Sequence, residues 1–318
     1  MFKKIRNSCK ETSEHSKHVK INYGKIREYA LSLPIAQAIS PVLDSNTHFI
    51  GNEEDTAAYF LILDSMNFGS GYFPKMKKRP AMSGYFTVAS SLADLFRKRG
   101  PLSPGKLSQF TSRDCTEIFN QDPENEDIQE LMGFFATALN DLGNYLIKDF
   151  KGHFLQMIDA ADHCAEDLLK ILIKMPLFND IEPYGDGMVH FYKRAQLTAA
   201  DLSIALKGRG IGYFYDLDKL TIFADNLIPH VLRMDGILIY DNRLAESIDV
   251  GELIPSKSEE EVEIRACAVH AVELIKRELQ SGGYNVHSLG LDYLLWNRGQ
   301  QKFYKRIKPR HRTRTVFY

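Results

Sequence analysis

An aromatic ring and a carboxylate stand two residues apart at Phe223 and Asp225. A flat ligand can stack on the ring while the carboxylate stabilises a positive charge that develops beside it. This chemistry suits cleavage of the bond between a base and a sugar, since the sugar becomes cationic as the bond lengthens. Asp225 also precedes Asn226-Leu227-Ile228-Pro229, and aspartate is a common cap before a proline-containing helix start. The pair alone therefore also fits a core aromatic followed by a helix cap.

Other polar residues admit two interpretations each. Asn67 follows an apolar helix face and precedes Gly69, so it is either a helix end or a pocket edge whose amide binds a base. Lys193 and Arg194 open a predicted helix, where cations oppose the helix dipole unless an anion binds there. The alternative for these two is a pair of solvated charges. His48 is a lone histidine with no partner evident in the sequence.

A basic tail, 305–312, is the strongest run of positive charge. It could bind RNA or a phosphate, but such runs are more often solvated surface. Only Phe303 and Tyr304 supply aromatic rings beside it, so a nucleic-acid groove has little support. The net charge of −1 also argues against a protein that clamps a long phosphate backbone.

The segments that must position these residues mostly show the apolar periodicity of helices. Gly143, inside a long amphipathic stretch, indicates close packing against a neighbour. The strand candidates are 237–240, 315–317 and, as a strand or an extended segment, 187–192. The chain thus predicts a mainly α protein with minor β pieces and one domain over 1–318, of which 1–40 is least certain and 100–126 is a surface excursion. The predicted helices are 55–68, 85–99, 128–150, 163–175, 193–206, 226–234, 258–280 and 289–298.

Composition excludes several classes of protein. The apolar fraction of 44% allows a sizeable core. The four cysteines are scattered, which argues against a zinc knuckle or a disulfide framework and favours a reducing compartment. No apolar segment approaches the length of a membrane span. We therefore expect a soluble, cytoplasmic protein. No phosphate-binding loop, metalloprotease motif or nucleophile elbow occurs, and the glycines at 208, 210 and 212 follow a helix rather than a strand.

Seven short segments together resemble one family, the queuosine salvage proteins, which are queuosine 5′-phosphate N-glycosylases that release queuine. The resemblance runs from about residue 45 to the C-terminus. The segments are DSMNF at 64–68, SGYF at 83–86, FYKRAQ at 191–196, LTIFAD at 220–225, EVEIR at 261–265, LDYLLW at 291–296 and HRTR at 311–314.

The resemblance implies a helical fold similar to that of the helix-hairpin-helix DNA glycosylases. It also implies that Phe223 and Asp225 contact the base and the reacting sugar, and that His48, Asp292 and Tyr293 contact the ligand. The chain departs from the family pattern in three places. Gly69-Ser70-Gly71 loosens an aromatic run, Phe86 stands where tryptophan is frequent, and Asn297 stands where many members have an acid. A neutral Asn297 would weaken a contact with the ligand's secondary ammonium.

Queuine is a 7-deazaguanine, so it has no N7 at which the leaving base can be protonated. The family chemistry then requires hydrogen bonds and stacking to stabilise the departing base, with Phe223 as the stacking ring. Asp225 would stabilise the sugar cation or act as a nucleophile. Asp292 would meet polar or cationic groups of queuine, with Tyr293 and His48 completing the pocket. The 5′-phosphate would bind Lys193, Arg194 or the arginines of the tail.

The expected partner is this small-molecule substrate, without nucleic acid, membrane, metal or other cofactor. Two alternatives stay open at this point. One is a glycosylase that acts on a base within a nucleic acid. The other is a binder of queuine or its nucleosides that catalyses no reaction.

Overall fold

Helices dominate the computed structural model, which describes residues 1–38 and 42–318. The α-helices are α1 Phe2–His15, α2 Ile26–Ser32, α3 Glu53–Ser65, α4 Gly84–Arg99, α5 Pro104–Leu107, α6 Ser112–Ile118, α7 Glu126–Phe150, α8 Phe154–Asp159, α9 Ala165–Leu172, α10 Lys193–Ala205, α11 Ile228–Met234, α12 Asn242–Asp249, α13 Glu259–Ser281, α14 Ser288–Gln300 and α15 Lys302–Arg306.

Two small antiparallel sheets accompany the helices. Their strands are β1 Val19–Ile21, β2 Ile181–Tyr184, β3 Gly187–His190 and β4 Leu238–Tyr240. β1 pairs with β4, and β2 pairs with β3. The predicted mainly α class with minor β pieces is confirmed. The similarity to helix-hairpin-helix glycosylases stays a prediction.

The chain divides into two compact units. The first comprises Met1–Pro41, Asp180–Lys193 and Asp216–Arg314, and the second comprises Val42–Asn179, Arg194–Tyr215 and Thr315–Tyr318. Each unit is assembled from stretches that are far apart in sequence. A single domain over 1–318 stays a prediction.

Helix α13 is the centre of the first unit. Ser258 Oγ accepts the Glu261 N–H at 3.2 Å, which caps the helix start. Most of its residues are buried, because α1, α2 and α14 pack around it. α1 is also tied to it by the ion pair of Arg6 Nε with Glu273 Oε2 at 2.9 Å. The predicted capped helix is therefore confirmed and is the framework of this unit.

Helix α7 is the corresponding central helix of the second unit. α5, α6, α3 and α8 pack against it. A Cβ on Gly143 would lie 2.4 Å from the Ser108 backbone nitrogen, so only glycine allows this approach. The predicted close packing at Gly143 is confirmed.

Five expectations differ from the structure. Residues 315–317 form no strand, and 100–126 contains α5 and α6. The first forty residues contain α1, β1 and α2, none of which periodicity indicated. The helix expected from 226 begins at Ile228. The basic tail is not purely solvated surface, since His311 is buried in the first unit.

All four cysteines lie in the described part of the chain, where they are buried and form no disulfide. Among the described helices, none combines the length and apolar character that a membrane crossing requires.

Candidate functional site

A short loop in the first unit carries the aromatic–carboxylate pair. Phe223 is 6% exposed and Asp225 is half-buried. Asp225 Oδ1 accepts the N–H of Leu227 at 2.7 Å and that of Ile228 at 3.3 Å, just where α11 begins. Asp225 thus binds N–H groups at the helix start, as the capping interpretation expects, although the N-cap residue of α11 is Leu227. Both bonds end on one carboxylate oxygen, so capping fixes the side chain without using both oxygens.

Asp292 fastens the same loop from helix α14. Its Oδ1 accepts the Phe223 N–H at 2.7 Å, and its side chain is buried. Burial raises the pKa of Asp292 well above its usual range, and the charge of Asp225 raises it further, against the lowering effects of the Phe223 N–H and of Lys193. Its surroundings therefore favour the protonated form of Asp292 more than those of an exposed aspartate do.

Two cations accompany the two carboxyl groups. Lys193 is buried, and its backbone N–H donates to Asp180 Oδ2 at 3.2 Å. The charge of its side chain lowers the pKa of Asp292. Arg310 donates from Nη2 to the Gly299 carbonyl at 3.3 Å. Burial lowers the pKa of Arg310, while the charge of Asp225 opposes that shift.

We call these residues of the first unit the carboxylate cluster: Phe223, Asp225, Asp292, Lys193 and Arg310. The tail arginine was only one of several phosphate candidates in the sequence. Its proximity to Asp225 had no sequence signal, since 85 residues separate the two.

His48 lies in the second unit, among aromatic rings. Its Nδ1 is 3.1 Å from the Asp44 carbonyl, and its Nε2 is 2.9 Å from the Tyr85 hydroxyl. Phe60 stacks on the imidazole, and Phe86 meets it edge-on. Burial lowers the pKa of His48, so the ring is neutral at pH 7. Because a carbonyl only accepts, Nδ1 carries the proton and Nε2 accepts from Tyr85.

Arg194 is 1% exposed in the core of the second unit. Its Nη1 donates to the carbonyls of Asp64 at 3.2 Å and Ser65 at 2.5 Å, and Nη2 donates to that of Leu177. The guanidinium also stacks on Phe68 and Phe178. These contacts bind the C-terminal end of α3. They account for Arg194 as a structural residue, in place of either the solvated charge or the phosphate ligand that the sequence suggested.

Three further predicted contacts stay predictions. Asn67 is half-buried just beyond α3, in the second unit. Tyr293 is half-buried and Asn297 is exposed on α14, in the first unit. Since these two are four residues apart, they share one side of the helix.

Arg265 and Asp180 form a buried ion pair that sequence reasoning missed. Nη1 and Oδ1 are 3.0 Å apart, and Nη2 and Oδ2 are 2.6 Å apart. The two residues are 85 positions apart, so no local sequence pattern indicates the pair. Only the presence of Arg265 in the family-like segment 261–265 marked one partner.

A cavity of 370 Å³ in the second unit is separate from the predicted residues. Several of its charges are already paired, as Arg79 is with Asp94 and Lys106 with Asp114. None of the predicted site residues lines it, so it is not the candidate site. Its lining is Arg79, Ser91, Asp94, Leu95, Lys98, Arg99, Leu102, Lys106, Phe110, Asp114, Glu117 and Ile118.

Comparison with known proteins identifies related sequences along the whole chain. The family described as queuosine salvage protein matches residues 47–318. A protein of Sphaerobacter thermophilus is 34% identical, over 99% of this chain and 97% of its own length. Relatives from Dictyostelium discoideum and Bos taurus are 32% and 30% identical, over 99% and 98% of this chain and 98% of their own lengths. All three are named queuosine 5′-phosphate N-glycosylase/hydrolase.

Proposed function

The chain belongs to the queuosine salvage protein family, and on this premise we propose that it hydrolyses the N-glycosidic bond of queuosine 5′-phosphate and releases queuine. The released base would be available for salvage into tRNA. The reaction class is N-glycosyl hydrolysis.

The observation that carries the proposal is that one loop carries Asp225 and is bound by the carboxyl group of Asp292 from α14. Phe223 donates its N–H to Asp292, while Asp225, two residues on, caps α11. Glycosidases depend on two carboxyl groups whose environments separate their protonation states. The raised pKa of Asp292 beside the charge of Asp225 fits this division.

Asp225 is the residue that faces the sugar in this scheme. As the glycosidic bond lengthens, C1′ gains positive charge, and the carboxylate stabilises it either electrostatically or as a nucleophile. The cap leaves the second oxygen for this task, because both backbone bonds use Oδ1. Capping and catalysis are then compatible functions of one side chain.

In this scheme the role of Asp292 differs from the role that the family resemblance implies. A protonated carboxyl donates a hydrogen bond to an acceptor on the base, instead of pairing as an anion with the cationic arm of queuine. Such a donor is useful because queuine lacks the N7 of a purine. Phe223 would stack on the base, with Tyr293 as a further contact in the same unit. At Asn297, the absence of an acid would weaken the contact with the ammonium of the arm.

The 5′-phosphate is assigned to Lys193 and Arg310. Both are cations of the carboxylate cluster, whereas Arg194 is engaged by backbone carbonyls. A cation beside a phosphate forms charge-assisted hydrogen bonds, which are stronger than neutral ones. The scheme assigns no step to a metal or another cofactor.

Product analysis by chromatography tests the proposal. The protein is incubated with queuosine 5′-phosphate, and queuine and ribose 5-phosphate are quantified, with Asp225→Asn as the control. Equal amounts of both products are expected. Queuine binding in calorimetry without any product would instead identify a binder that catalyses no reaction.

A gel shift at physiological salt examines the nucleic-acid alternative. We propose that the substrate is the free nucleotide, so a tRNA or DNA duplex should cause no shift at micromolar protein. A shift accompanied by base release from the polymer would favour that alternative. A cytoplasmic location belongs to the same proposal and rests on the scattered cysteines of the sequence.

A further inference from the structure

Arg265 is a fully buried arginine of α13, and each of its three side-chain nitrogens has a hydrogen-bond partner. Besides its bidentate pairing with Asp180, Nε donates to the Ala224 carbonyl at 3.1 Å. The guanidinium carbon lies 3.9 Å from the centre of the Phe191 ring. Ala224 is the residue between Phe223 and Asp225, so this hydrogen bond ends at the middle of the candidate catalytic loop.

Asp180 connects Arg265 to a second segment of the chain, 191–193. Its backbone carbonyl accepts the N–H of Phe191 at 3.0 Å and that of Tyr192 at 3.2 Å, and its Oδ2 accepts the Lys193 N–H at 3.2 Å. Tyr192 has a φ of +48°, which is uncommon for a tyrosine. Surrounding contacts must hold such a conformation in place. Asp180 therefore fixes the approach to Lys193.

We propose that Arg265 is a positioning residue that fixes the Asp225 loop relative to the segment that carries Lys193. One planar guanidinium fork binds the Ala224 carbonyl and the Asp180 carboxylate together. Neither contact reaches the reacting atoms, so Arg265 acts through Asp225 and Lys193. The inference rests on the proposed hydrolysis and adds to it a residue that holds the geometry.

Arginine is required here by its shape. The guanidinium is planar and offers five N–H donors in a fixed fork, whereas a lysine ammonium is a compact point charge. Lysine at 265 retains the charge beside Asp180 but cannot serve both oxygens and the Ala224 carbonyl in one plane. The loop should then shift, and a misplacement of about 1 Å at a catalytic group costs about 10²-fold in rate.

The experiment measures kcat and KM for queuosine 5′-phosphate in Arg265→Lys. We expect kcat to fall about 10²-fold, while KM rises by less than the roughly tenfold expected for Lys193→Ala. Amide hydrogen exchange over 220–228 is measured on the same protein, because the Phe223 and Leu227 N–H groups report the loop's hydrogen bonds. Exchange there should accelerate.

Arg233→Lys is the matched control. Arg233 is a half-buried arginine of the first unit, with a carboxylate partner in Asp249 at 2.9 Å, a carbonyl partner in Ala245 and the Tyr240 ring beneath it. It holds no residue of the carboxylate cluster. This variant should lose thermal stability but retain kcat and normal exchange over 220–228.

Phe191→Leu provides a milder test if Arg265→Lys does not fold. It removes the ring under the guanidinium but no hydrogen bond, and it should lower kcat by about tenfold or less. The inference is overturned if the folded variant retains both the wild-type kcat and the wild-type exchange over 220–228. Failure of the wild type to release queuine would refute the proposed function instead, and the exchange comparison would still decide the inference.

Discussion

Asp292 accepts the backbone N–H of Phe223 at 2.7 Å, so a side chain of α14 fixes the loop that carries Asp225. The bond links two segments that are 69 positions apart in sequence. Burial, with a further contribution from the charge of Asp225, raises the pKa of Asp292. This relationship underlies the predictions for both residues.

Asp225→Asn should retain queuine binding and lose turnover by about 10³-fold or more, because an amide does not stabilise a sugar cation as a carboxylate does. Asparagine caps helices about as well as aspartate, so the melting temperature should change little. Steady-state kinetics and thermal melting check the two effects separately.

Asp218→Asn serves as the matched control for this prediction. It removes one exposed carboxylate seven residues earlier in the same unit, and it should leave both measurements unchanged. A near-normal rate in Asp225→Asn would leave the residue as a cap alone.

Asp292→Asn should alter the pH profile more than the rate at neutral pH. The raised pKa of Asp292 means that its donated proton is lost as pH rises through that pKa, so kcat/KM of the wild type should decline on the alkaline side. Asparagine keeps an acceptor for the Phe223 N–H and a donor for the base at every pH, so this decline should disappear. A profile identical to that of the wild type would contradict the assigned proton.

Arg310→Gln and Lys193→Ala should each raise KM for queuosine 5′-phosphate by about tenfold or more, and KM for the free nucleoside much less, since only the nucleotide has the charge they bind. The ratio of the two KM values is the measurement. Arg306→Gln removes an exposed cation of the same tail and should not change the ratio. An equal effect on both substrates would remove the residue in question from the phosphate site.

Glu182→Gln should stabilise the protein at alkaline pH. Burial, together with the charge of Glu261, raises the pKa of Glu182 to about 7. The folded state thus holds this proton above the usual carboxyl range, and the resulting stability is lost as pH rises from about 4.5 through 7. At pH 8 the variant should melt roughly 2 to 4 °C above the wild type, and at pH 4.5 the two should coincide. Glu246→Gln, at an exposed carboxylate, should show no such difference.

Local signals predicted the long helices well. α7 and α13 were expected to within two residues at each end, because a sustained apolar face and a capping serine act over one or two turns. Helix α1 escaped detection because its sequence is largely polar, and even its buried side includes the polar residues Thr12 and Ser13. The aromatic segment 315–317 has strand-like residues but finds no strand partner.

The candidate site was predictable only through resemblance. Asp225 alone favoured a cap, which it is, and Asp292 had no local feature to single it out. The Arg265–Asp180 pair and the proximity of Arg310 to Asp225 depend on contacts between residues 85 apart, which no periodicity encodes. Arg194 was expected to be either a solvated charge or a phosphate ligand, whereas its guanidinium is buried and donates to three backbone carbonyls.

The ion pair between Arg6 of α1 and Glu273 of α13 sets the order in which a nascent chain can mature. At 5 to 20 residues per second, a ribosome takes roughly 10 to 50 s between these two positions. Throughout that interval the apolar side of α1 has been synthesised but the helix that covers it has not. The first unit therefore completes its fold late in translation, and until then α1 lacks its cover from α13.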